Sequence, residues 1–242
     1  MVTPTYPAEI LQAVLFDVFG TVVDWRSSVS RQVAEAVARH GLTVDAEAFA
    51  DQWRALYQPA MSRVRCGDTP FVLLDELHRH NLDEVLEVFS LHCFSDTEKT
   101  ELNRAWHRLD PWPDAVAGLE RLKQRYIIGS LSNGNIALIT NMAKYARLPW
   151  DVILGAEIAR AYKPQPEAYL NSAAALSLDP GQCLLVAAHN SDLQAAAECG
   201  FHTAFVARPF EHGPDQEIDL MAQANYDFVA PDFIDLADQL DC

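Results

Sequence analysis

Polar side chains that could do chemistry follow four separate apolar stretches of this sequence. They are Asp17 and Thr21 after the first stretch, Ser132 and Asn133 after the second, Lys163 beyond the third, and Asp192 beyond the fourth. An unpaired charge is costly to bury inside a strand, so each group is expected just beyond the carboxyl end of its strand. Open α/β sheets bind their ligands along that edge, which predicts that these residues converge on one site.

Asp17 is the residue of this set best suited to act as a nucleophile. A carboxylate attacks only where a neighbouring group keeps it ionised and oriented, and a cation does both. Lys163 lies on a loop stiffened by the proline that follows it, and it can supply that cation. Asp192 can pair with Lys163 or position a water. Each residue alone is also typical of a helix cap or a surface turn, but together they predict a catalytic site.

The elements that must position these residues change character along the chain. Residues 28–110 show helical patterns and no convincing strand, whereas the later part alternates helices with short apolar strands. Such alternation predicts βαβ units in an α/β fold with a doubly wound, Rossmann-like parallel sheet. We therefore expect residues 1–27 and 111–242 to form the core. Residues 28–110 are expected to form a helical cap inserted after the first strand, with the proline-containing segment 109–113 as the hinge back into the core.

Five helices are expected within the inserted segment. Four are predicted over residues 30–40, 46–64, 71–80 and 83–92 from the spacing of their apolar positions. The fifth follows Ser95, which forms a capping-box pattern with Glu98 three residues later.

Composition and charge exclude several classes of partner. The chain has 18 Lys and Arg against 34 Asp and Glu, and its net charge of -16 repels nucleic acid and anionic membranes. Its five cysteines show no C-x-x-C spacing and are expected to be reduced thiols rather than disulfides or zinc ligands. We see no leader pattern and no apolar run long enough to span a membrane, so a cytoplasmic protein is expected.

Four motifs taken together resemble those of the haloacid dehalogenase superfamily. They are residues 17–21 (Asp-x-Phe-Gly-Thr), 131–134 (Leu-Ser-Asn-Gly), 162–164 (Tyr-Lys-Pro) and 190–192 (Asn-x-Asp). The first motif with its flanking residues is similar to the type II (S)-2-haloacid dehalogenases in particular, and the helical insertion resembles their cap domain. The resemblance implies hydrolysis of small (S)-2-haloacids to 2-hydroxyacids, with a small anionic acid and water as the reactants.

Phe19 favours carbon–halogen chemistry over phosphate chemistry. Phosphatases of the superfamily have a second aspartate at this position, which serves as acid and base for the leaving alcohol, and a phenyl ring cannot move a proton. The last motif, over residues 186–192, offers Asp192 as its one carboxylate, which is too few hard oxygen ligands for a dedicated magnesium site. A halide leaves without protonation or a metal, so we expect neither a cofactor nor a metal.

The resemblance also implies roles for the residues of the core. Asp17 attacks Cα of the haloacid with inversion, expels halide and forms an ester, whose carbonyl carbon is then attacked by water. Lys163 keeps Asp17 ionised, and Asp192 holds Lys163 or activates the water. Thr21 and Ser132 hydrogen-bond Asp17 or the substrate carboxylate.

By the same resemblance, the predicted cap contributes an arginine to the halide site. Arg54 matches a family arginine that receives the departing halide together with Asn133, and Tyr57 lies three residues further along the same helical face. The alternative is that Arg54 is an ordinary surface arginine. Arg63 and Arg65 are expected to lie in solvent.

Two further residues are assigned to the site, and each of them also has an alternative interpretation. Tyr169 matches a family tyrosine near the nucleophile, although packing of its ring on the sheet would also explain it. His189 stands where better-known members of the family have an asparagine, and we expect it to donate a hydrogen bond or to help activate water. The alternative is a turn histidine whose ring is satisfied by the backbone.

Two other functions remain open from the sequence. One is a phosphatase or phosphonatase of the same superfamily, and the other is a non-catalytic binding module on the same fold. The preferred halogen, fluoride included, and the substrate chain length are also open. Because exposed cap helices commonly pair in this family, the resemblance is compatible with a homodimer.

Overall fold

The structure is a computed structural model that describes residues 10–242. Its strands are β1 (Ala13–Phe16), β2 (Val23–Asp24), β3 (Asp110–Pro111), β4 (Ile127–Ser132), β5 (Val152–Gly155), β6 (Cys183–Ala187), β7 (His202–Val206) and β8 (Phe228–Ala230). Its helices are α1 (Trp25–Ala38), α2 (Ala46–Ala55), α3 (Tyr57–Arg65), α4 (Leu74–Val88), α5 (Asp96–Asn103), α6 (Ala115–Leu122), α7 (Ile136–Ala146), α8 (Ala156–Ala159), α9 (Pro166–Ala175), α10 (Asn190–Glu198) and α11 (Phe233–Gln239). Two 3-10 turns cover Arg104–His107 and Pro180–Gln182.

The central sheet has six parallel strands in the order β5-β4-β1-β6-β7-β8. Numbered within this sheet the order is 3-2-1-4-5-6, the arrangement of a Rossmann-like doubly wound fold. The predicted α/β class with a parallel sheet is therefore confirmed. The order reverses between β1 and β6, and ligands of such sheets bind in the crevice outside this point.

Strand β1 shows why the apolar run after residue 12 folds as a central strand. All four of its residues are buried, and consecutive side chains of a strand point to opposite faces. Val14 and Phe16 belong to the apolar cluster on one face of the sheet, whereas Ala13 and Leu15 belong to the cluster on the other. A strand buried on both faces reads as a continuous apolar run rather than an alternating one.

The segment between β1 and β4 is largely helical as predicted, but its helix boundaries differ from the expected ones. The helix expected over 30–40 is α1, which begins at Trp25 instead of residue 30. The helix expected over 46–64 is two helices that meet at Leu56. Pro59 explains the break, because a proline inside a helix removes an N–H donor and clashes with the carbonyl four residues earlier. In the first turn of a new helix, where Pro59 lies, that clash does not arise.

The two helices expected over 71–80 and 83–92 are one continuous helix, α4, so that prediction was wrong. Its buried residues Leu74, Leu77, His78, Asn81, Leu82, Val85 and Leu86 recur at helical spacing across the supposed break. The two residues between the predicted helices, Asn81 and Leu82, are themselves buried and continue this set. The capping box at Ser95 is present and starts α5 as predicted.

The chain leaves and re-enters the core region at two short strands that lie side by side. Strands β2 and β3 pair antiparallel, with Val23 opposite Pro111 and Asp24 opposite Asp110. The indole N–H of Trp112 donates to the carbonyl of Gly20 at 2.7 Å, which ties the return segment to the loop after β1. This geometry is compatible with the predicted cap over residues 28–110, whose boundaries stay a prediction. Within residues 10–242, no helix has the length and apolar character needed to cross a membrane.

Arg208, just beyond β7, is expected to stabilise the core through a buried ion pair with Asp114. Its guanidinium makes two hydrogen bonds of 2.8 Å to Asp114 and a third, of 2.9 Å, to the carbonyl of Thr21. Breaking a buried ion pair leaves an uncompensated charge, so Arg208→Met should lower the free energy of unfolding by about 3–5 kcal/mol, measured by urea denaturation. Arg39→Met, at an exposed arginine, should change it by less than about 0.5 kcal/mol.

The destabilisation by Arg208→Met should also depend on pH. Burial raises the pKa of Asp114, but the hydrogen bonds from Arg208 outweigh burial and hold that pKa below its ordinary value. A lowered folded-state pKa contributes stability that is present above the unfolded-state pKa and is lost as pH falls through the folded-state pKa. The difference between wild type and variant should therefore shrink in acid. An equal difference at neutral and acid pH would contradict this assignment.

Candidate active site

The predicted site residues surround a cavity of about 390 Å³ at the carboxyl ends of the strands, beside the reversal between β1 and β6. Its lining is Asp17, Phe19, Arg54, Tyr57, Gln58, Arg65, Asn133, Lys163, Pro164, Tyr169, His189, Ser191, Asp192 and Asp219. The segments that follow β1, β4, β5, β6 and β7 supply the other lining residues, while α2 and α3 supply Arg54, Tyr57, Gln58 and Arg65. Residues far apart in sequence are thus brought together along one sheet edge.

Asp17 lies at the end of β1 and is only 7% exposed. The hydroxyl of Thr21 donates to its Oδ2 at 2.8 Å, and the same hydroxyl oxygen accepts the amide N–H of Ala188 at 2.9 Å. The Nζ of Lys163 donates to Oδ1 at 2.9 Å. Gly20 adopts a φ of 85°, in the region that favours glycine, and turns the chain so that Thr21 folds back on the carboxylate.

Lys163 bridges the two carboxylates of the site. Its Nζ lies 2.9 Å from Asp17 and 2.5 Å from Asp192, and the side chains of all three residues are about 10% exposed or less. Burial alone would raise the pKa of Asp17, but the ammonium of Lys163, followed by the ring of His189, holds that pKa far below its ordinary value. Conversely, burial lowers the pKa of Lys163, but the two carboxylates outweigh it and raise that pKa. The site therefore holds an ionised carboxylate beside a charged ammonium at neutral pH.

Asn133 and Tyr169 hold the charged groups in place, and Ser132 fixes the loop beside them. The side-chain oxygen of Asn133 accepts the backbone N–H of Lys163 at 2.8 Å, which fixes the lysine loop against the end of β4. The hydroxyl of Tyr169 donates to Asp192 at 2.6 Å, so this ring both packs on the sheet and contacts the site. The hydroxyl oxygen of Ser132 accepts the N–H of Gly134 at 3.0 Å, which leaves its own proton free to donate.

Arg54 points its charge at the cavity. Its guanidinium lies 4.1 Å from the ring centre of Tyr57 and 5.5 Å from that of Trp25. Neither a hydrogen bond nor an ion pair to Arg54 is found within residues 10–242, so its N–H groups are available to an anion. Phe19 is buried against Tyr57 and Trp106 with its ring edge-on, which makes this wall of the cavity apolar.

His189 contacts the nucleophile directly. Its Nδ1 lies 3.0 Å from Oδ2 of Asp17, and its Nε2 lies 2.8 Å from Oε2 of Glu211. Burial lowers the pKa of the ring, but Glu211 and Asp17 outweigh burial and raise the pKa well above its ordinary value. The alternative of a turn histidine satisfied by the backbone does not fit these contacts.

All the sequence-predicted site residues except Thr21 and Ser132 line the cavity. Thr21 does not line it but donates a hydrogen bond to Asp17. Their individual roles stay predictions. The expectation that Arg65 lies in solvent was wrong: this residue lines the cavity, and its guanidinium donates to the carbonyl of Lys163 at 3.2 Å. Arg63, in contrast, is exposed.

Sequence reasoning missed Glu211, which is 2% exposed and holds the far side of His189. The signal was present, because Glu211 and Arg208 follow the apolar strand β7 just as Asp17 follows β1. Gln58, Ser191 and Asp219 also line the cavity, and nothing in their spacing marked them. Within the described range, His, Cys, Asp and Glu side chains form no group of three or more arranged to hold a metal ion; the expected absence of a metal stays a prediction.

The fold and the site together define the class of protein: a Rossmann-like α/β protein with a charged cavity at the carboxyl ends of its strands and helices inserted after the first strand. The chain belongs to the haloacid dehalogenase-like hydrolases, since the model of that family matches residues 11–200. The predicted superfamily is therefore confirmed.

Named relatives agree with this membership. The (S)-2-haloacid dehalogenase 4A of Burkholderia cepacia is 31% identical over 82% of this chain and 84% of its own length. A crystal structure of a defluorinating L-2-haloacid dehalogenase is 54% identical, covers 96% of both chains and superposes with a TM-score of 0.94. A second L-2-haloacid dehalogenase structure is 46% identical, with a TM-score of 0.92 over 96% of this chain and 99% of its own.

Proposed function

We propose that this protein hydrolyses small (S)-2-haloacids to 2-hydroxyacids through an ester on Asp17, without a metal. The observation that carries the proposal is the buried contact of Lys163 with Asp17 at the cavity, because it keeps a carboxylate ionised where a substrate binds. Relatives named as dehalogenases of 2-haloacids support the choice of substrate. Phe19 supports it independently, since this position offers no group to protonate a leaving alcohol.

In the first step, the haloacid is held with its halogen directed toward the cap side of the cavity. The unpaired guanidinium of Arg54 and the amide of Asn133 receive the halide, and the rings of Phe19 and Tyr57 surround it with apolar surface. Oδ1 of Asp17 attacks Cα from the opposite side, which inverts this carbon. The Cα–halogen bond breaks, and the halide departs with the electron pair.

In the second step, water attacks Cγ of the Asp17 ester. Asp192 accepts the proton of that water, and its orientation is held by Lys163 and by Tyr169. The bond from Cγ to the former Oδ1 then breaks, and the 2-hydroxyacid leaves with this oxygen and the proton from Asp192. Ser132 and Thr21 contribute hydrogen bonds at the end of the sheet, as the sequence predicts.

Isotope labelling tests the ester on Asp17. After a single turnover of (S)-2-chloropropionate in ¹⁸O water, the label should appear in the peptide that contains Asp17 and not in the lactate, because the product takes its oxygen from the carboxylate. Mass spectrometry of the digested protein measures both positions. Label found in the lactate alone would mean that water attacks the substrate directly and that the ester mechanism fails.

Chelation separates the proposal from metal-dependent phosphate chemistry. We expect halide release to be unchanged after incubation with EDTA, since the catalytic steps above use only side chains of this chain. Loss of all activity on chelation, with phosphatase activity restored by magnesium, would instead identify a phosphatase of the same family.

The 54%-identical relative described as defluorinating extends the proposal to 2-fluoroacids. We also propose the cytoplasm as the compartment, a homodimer as the assembly, and residues 28–110 as the cap. Sedimentation of the purified protein tests the assembly, and limited proteolysis near residues 27 and 111 tests the boundaries of the cap.

A further inference from the structure

His189 is placed between two carboxylates, each at hydrogen-bond distance from a different ring nitrogen. Nδ1 faces Asp17 at 3.0 Å and Nε2 faces Glu211 at 2.8 Å. A neutral imidazole carries one N–H and could donate to only one of them, whereas an imidazolium donates to both. Two carboxylate partners therefore require the doubly protonated ring.

Glu211 is itself held by its surroundings. The indole N–H of Trp25 donates to its Oε1 at 3.0 Å, so each carboxylate oxygen has a defined partner. The carboxylate also packs against Gly20, where an added Cβ would come within 2.1 Å of Oε1. The loop after β1 and the loop after β7 are thus packed against each other at Gly20 and Glu211. Only glycine at position 20 leaves room for this contact.

The two oxygens of Asp17 are not equivalent. Oδ2 accepts both the Thr21 hydroxyl and His189, whereas Lys163 is the one donor to Oδ1 among residues 10–242. Oδ1 therefore keeps a free lone pair for attack on the substrate, and Oδ2 becomes the carbonyl oxygen of the ester. When water attacks Cγ, the negative charge develops on Oδ2, beside these two donors.

We propose that His189 is the oxyanion donor for hydrolysis of the Asp17 ester and that Glu211 is the positioning residue that keeps its ring doubly protonated. This inference rests on the proposed ester mechanism. In it the π electrons of the ester C=O move to Oδ2 as the water oxygen bonds to Cγ, and the water proton goes to Asp192. The electrons return when the bond to the hydroxyacid oxygen breaks, and that oxygen takes the proton from Asp192.

Glu211 matters most in the ester, because there Asp17 no longer carries a charge. Of the two carboxylates that contact the ring, Glu211 is then the one that still stabilises the imidazolium. His212 approaches Glu211 at 3.6 Å, but burial lowers the pKa of His212, so this neighbour is neutral at ordinary pH. Arg54 is a further cation whose field reaches Glu211, while Lys163 contacts the far oxygen of Asp17 and Asp192 contacts Lys163.

The two half-reactions can be measured separately by rapid quench with (S)-2-chloropropionate. Halide release reports formation of the ester, and lactate release reports its hydrolysis. In His189→Phe, hydrolysis should slow by about 10²-fold, because one oxyanion donor is lost, while the first burst of halide persists. Intact-protein mass spectrometry should then show an acylated chain accumulating, which the wild type does not accumulate.

Glu211→Gln provides a second, nearly isosteric variant. It should slow hydrolysis by about 10-fold at neutral pH, and it should add no further loss in the His189→Phe background, because Glu211 acts through the ring. Glu120→Gln, at an exposed glutamate of α6, is the matched control and should behave as wild type. Thermal melts of each variant separate these effects from loss of folding.

The pH dependence gives a readout that a purely structural role would not change. His189 has a raised pKa, so the imidazolium is present below that pKa and is lost as pH rises through it. Hydrolysis of the ester should therefore decline at high pH. Removing the negative charge of Glu211 lowers the pKa of the ring, so in Glu211→Gln the decline should begin at lower pH.

The failures of the two proposals are distinguishable. If the wild type places ¹⁸O in Asp17 but hydrolysis, pH profile and acyl-enzyme level are unchanged in both variants, the oxyanion assignment is overturned while the ester mechanism stands. If the initial halide burst slows as much as lactate release, the assignment is also overturned, because a donor specific to hydrolysis cannot act equally on both steps. If the wild type forms no ester on Asp17, both proposals fall together.

Discussion

Asp17→Asn is expected to lose halide release from (S)-2-chloropropionate by a factor on the order of 10⁴ or more in kcat. The reason is that an amide oxygen is a far weaker nucleophile than a carboxylate oxygen, and no other carboxylate lies where Asp17 does at the end of β1. The side chain keeps its size and its contact with Thr21, so the fold should be retained. Steady-state halide release and the thermal melt measure the two effects.

A matched control is available for this variant. Asp68→Asn makes the same chemical change at an exposed aspartate beyond α3, and it should retain wild-type kcat. If Asp17→Asn keeps a tenth or more of the activity over repeated preparations, Asp17 is not the nucleophile. The mechanism would then have to use water directly, and the ¹⁸O label would appear in the product.

Lys163→Met is expected to reduce kcat by about 10³-fold, because the ammonium that keeps Asp17 ionised and orients Asp192 is removed. Its Nζ contacts both carboxylates in a buried site, so the variant leaves two nearby negative charges without their shared cation. Breaking such an arrangement should also lower the free energy of unfolding by about 3–5 kcal/mol. Halide release and urea denaturation measure the two effects independently.

The pH dependence of Lys163→Met distinguishes loss of charge from loss of packing. In the wild type, Lys163 lowers the pKa of Asp17 against the opposing effect of burial. Without this cation burial dominates, the pKa of Asp17 rises, and the residual activity should increase with pH where wild-type activity is flat. Lys144→Met, at an exposed lysine of α7, should change neither activity nor stability. A residual activity that does not depend on pH would show that Lys163 does not control the ionisation of Asp17.

The sequence was sufficient for the architecture because burial on both faces of a sheet leaves a direct trace in the chain. The strand β1 reads as an uninterrupted apolar run, and the polar residues that follow such runs mark the edge where the site forms. The sequence also predicted which residues contact Asp17. These residues lie either in the same motif as Asp17 or just after other strands of the sheet. Thr21, Lys163 and His189 are all found in contact with it.

Helix boundaries were predicted less well than the fold, because the local sequence and the packing of a helix can favour different boundaries. Pro59 splits the helix expected over 46–64. The rule that proline interrupts the interior of a helix could have been applied to the sequence. Two helices were expected on either side of residues 81–82, but the buried stripe from Leu74 to Leu86 continues through these positions. Burial of that stripe stabilises α4 as one helix, and such burial depends on neighbours that the local sequence does not show.

By itself, then, the sequence determined the α/β fold, the edge of the sheet that holds the site, and the charged groups gathered there. Only the tertiary structure decided which oxygen of Asp17 contacts Lys163, that Arg65 reaches the cavity, and that Glu211 holds His189. The physical reason is that the end of a buried strand has a fixed place in a parallel sheet, whereas a loop of the same composition can take many paths. The path of the loop after β7 is selected by contacts of Glu211 with Trp25 and Gly20, nearly two hundred residues earlier in the chain.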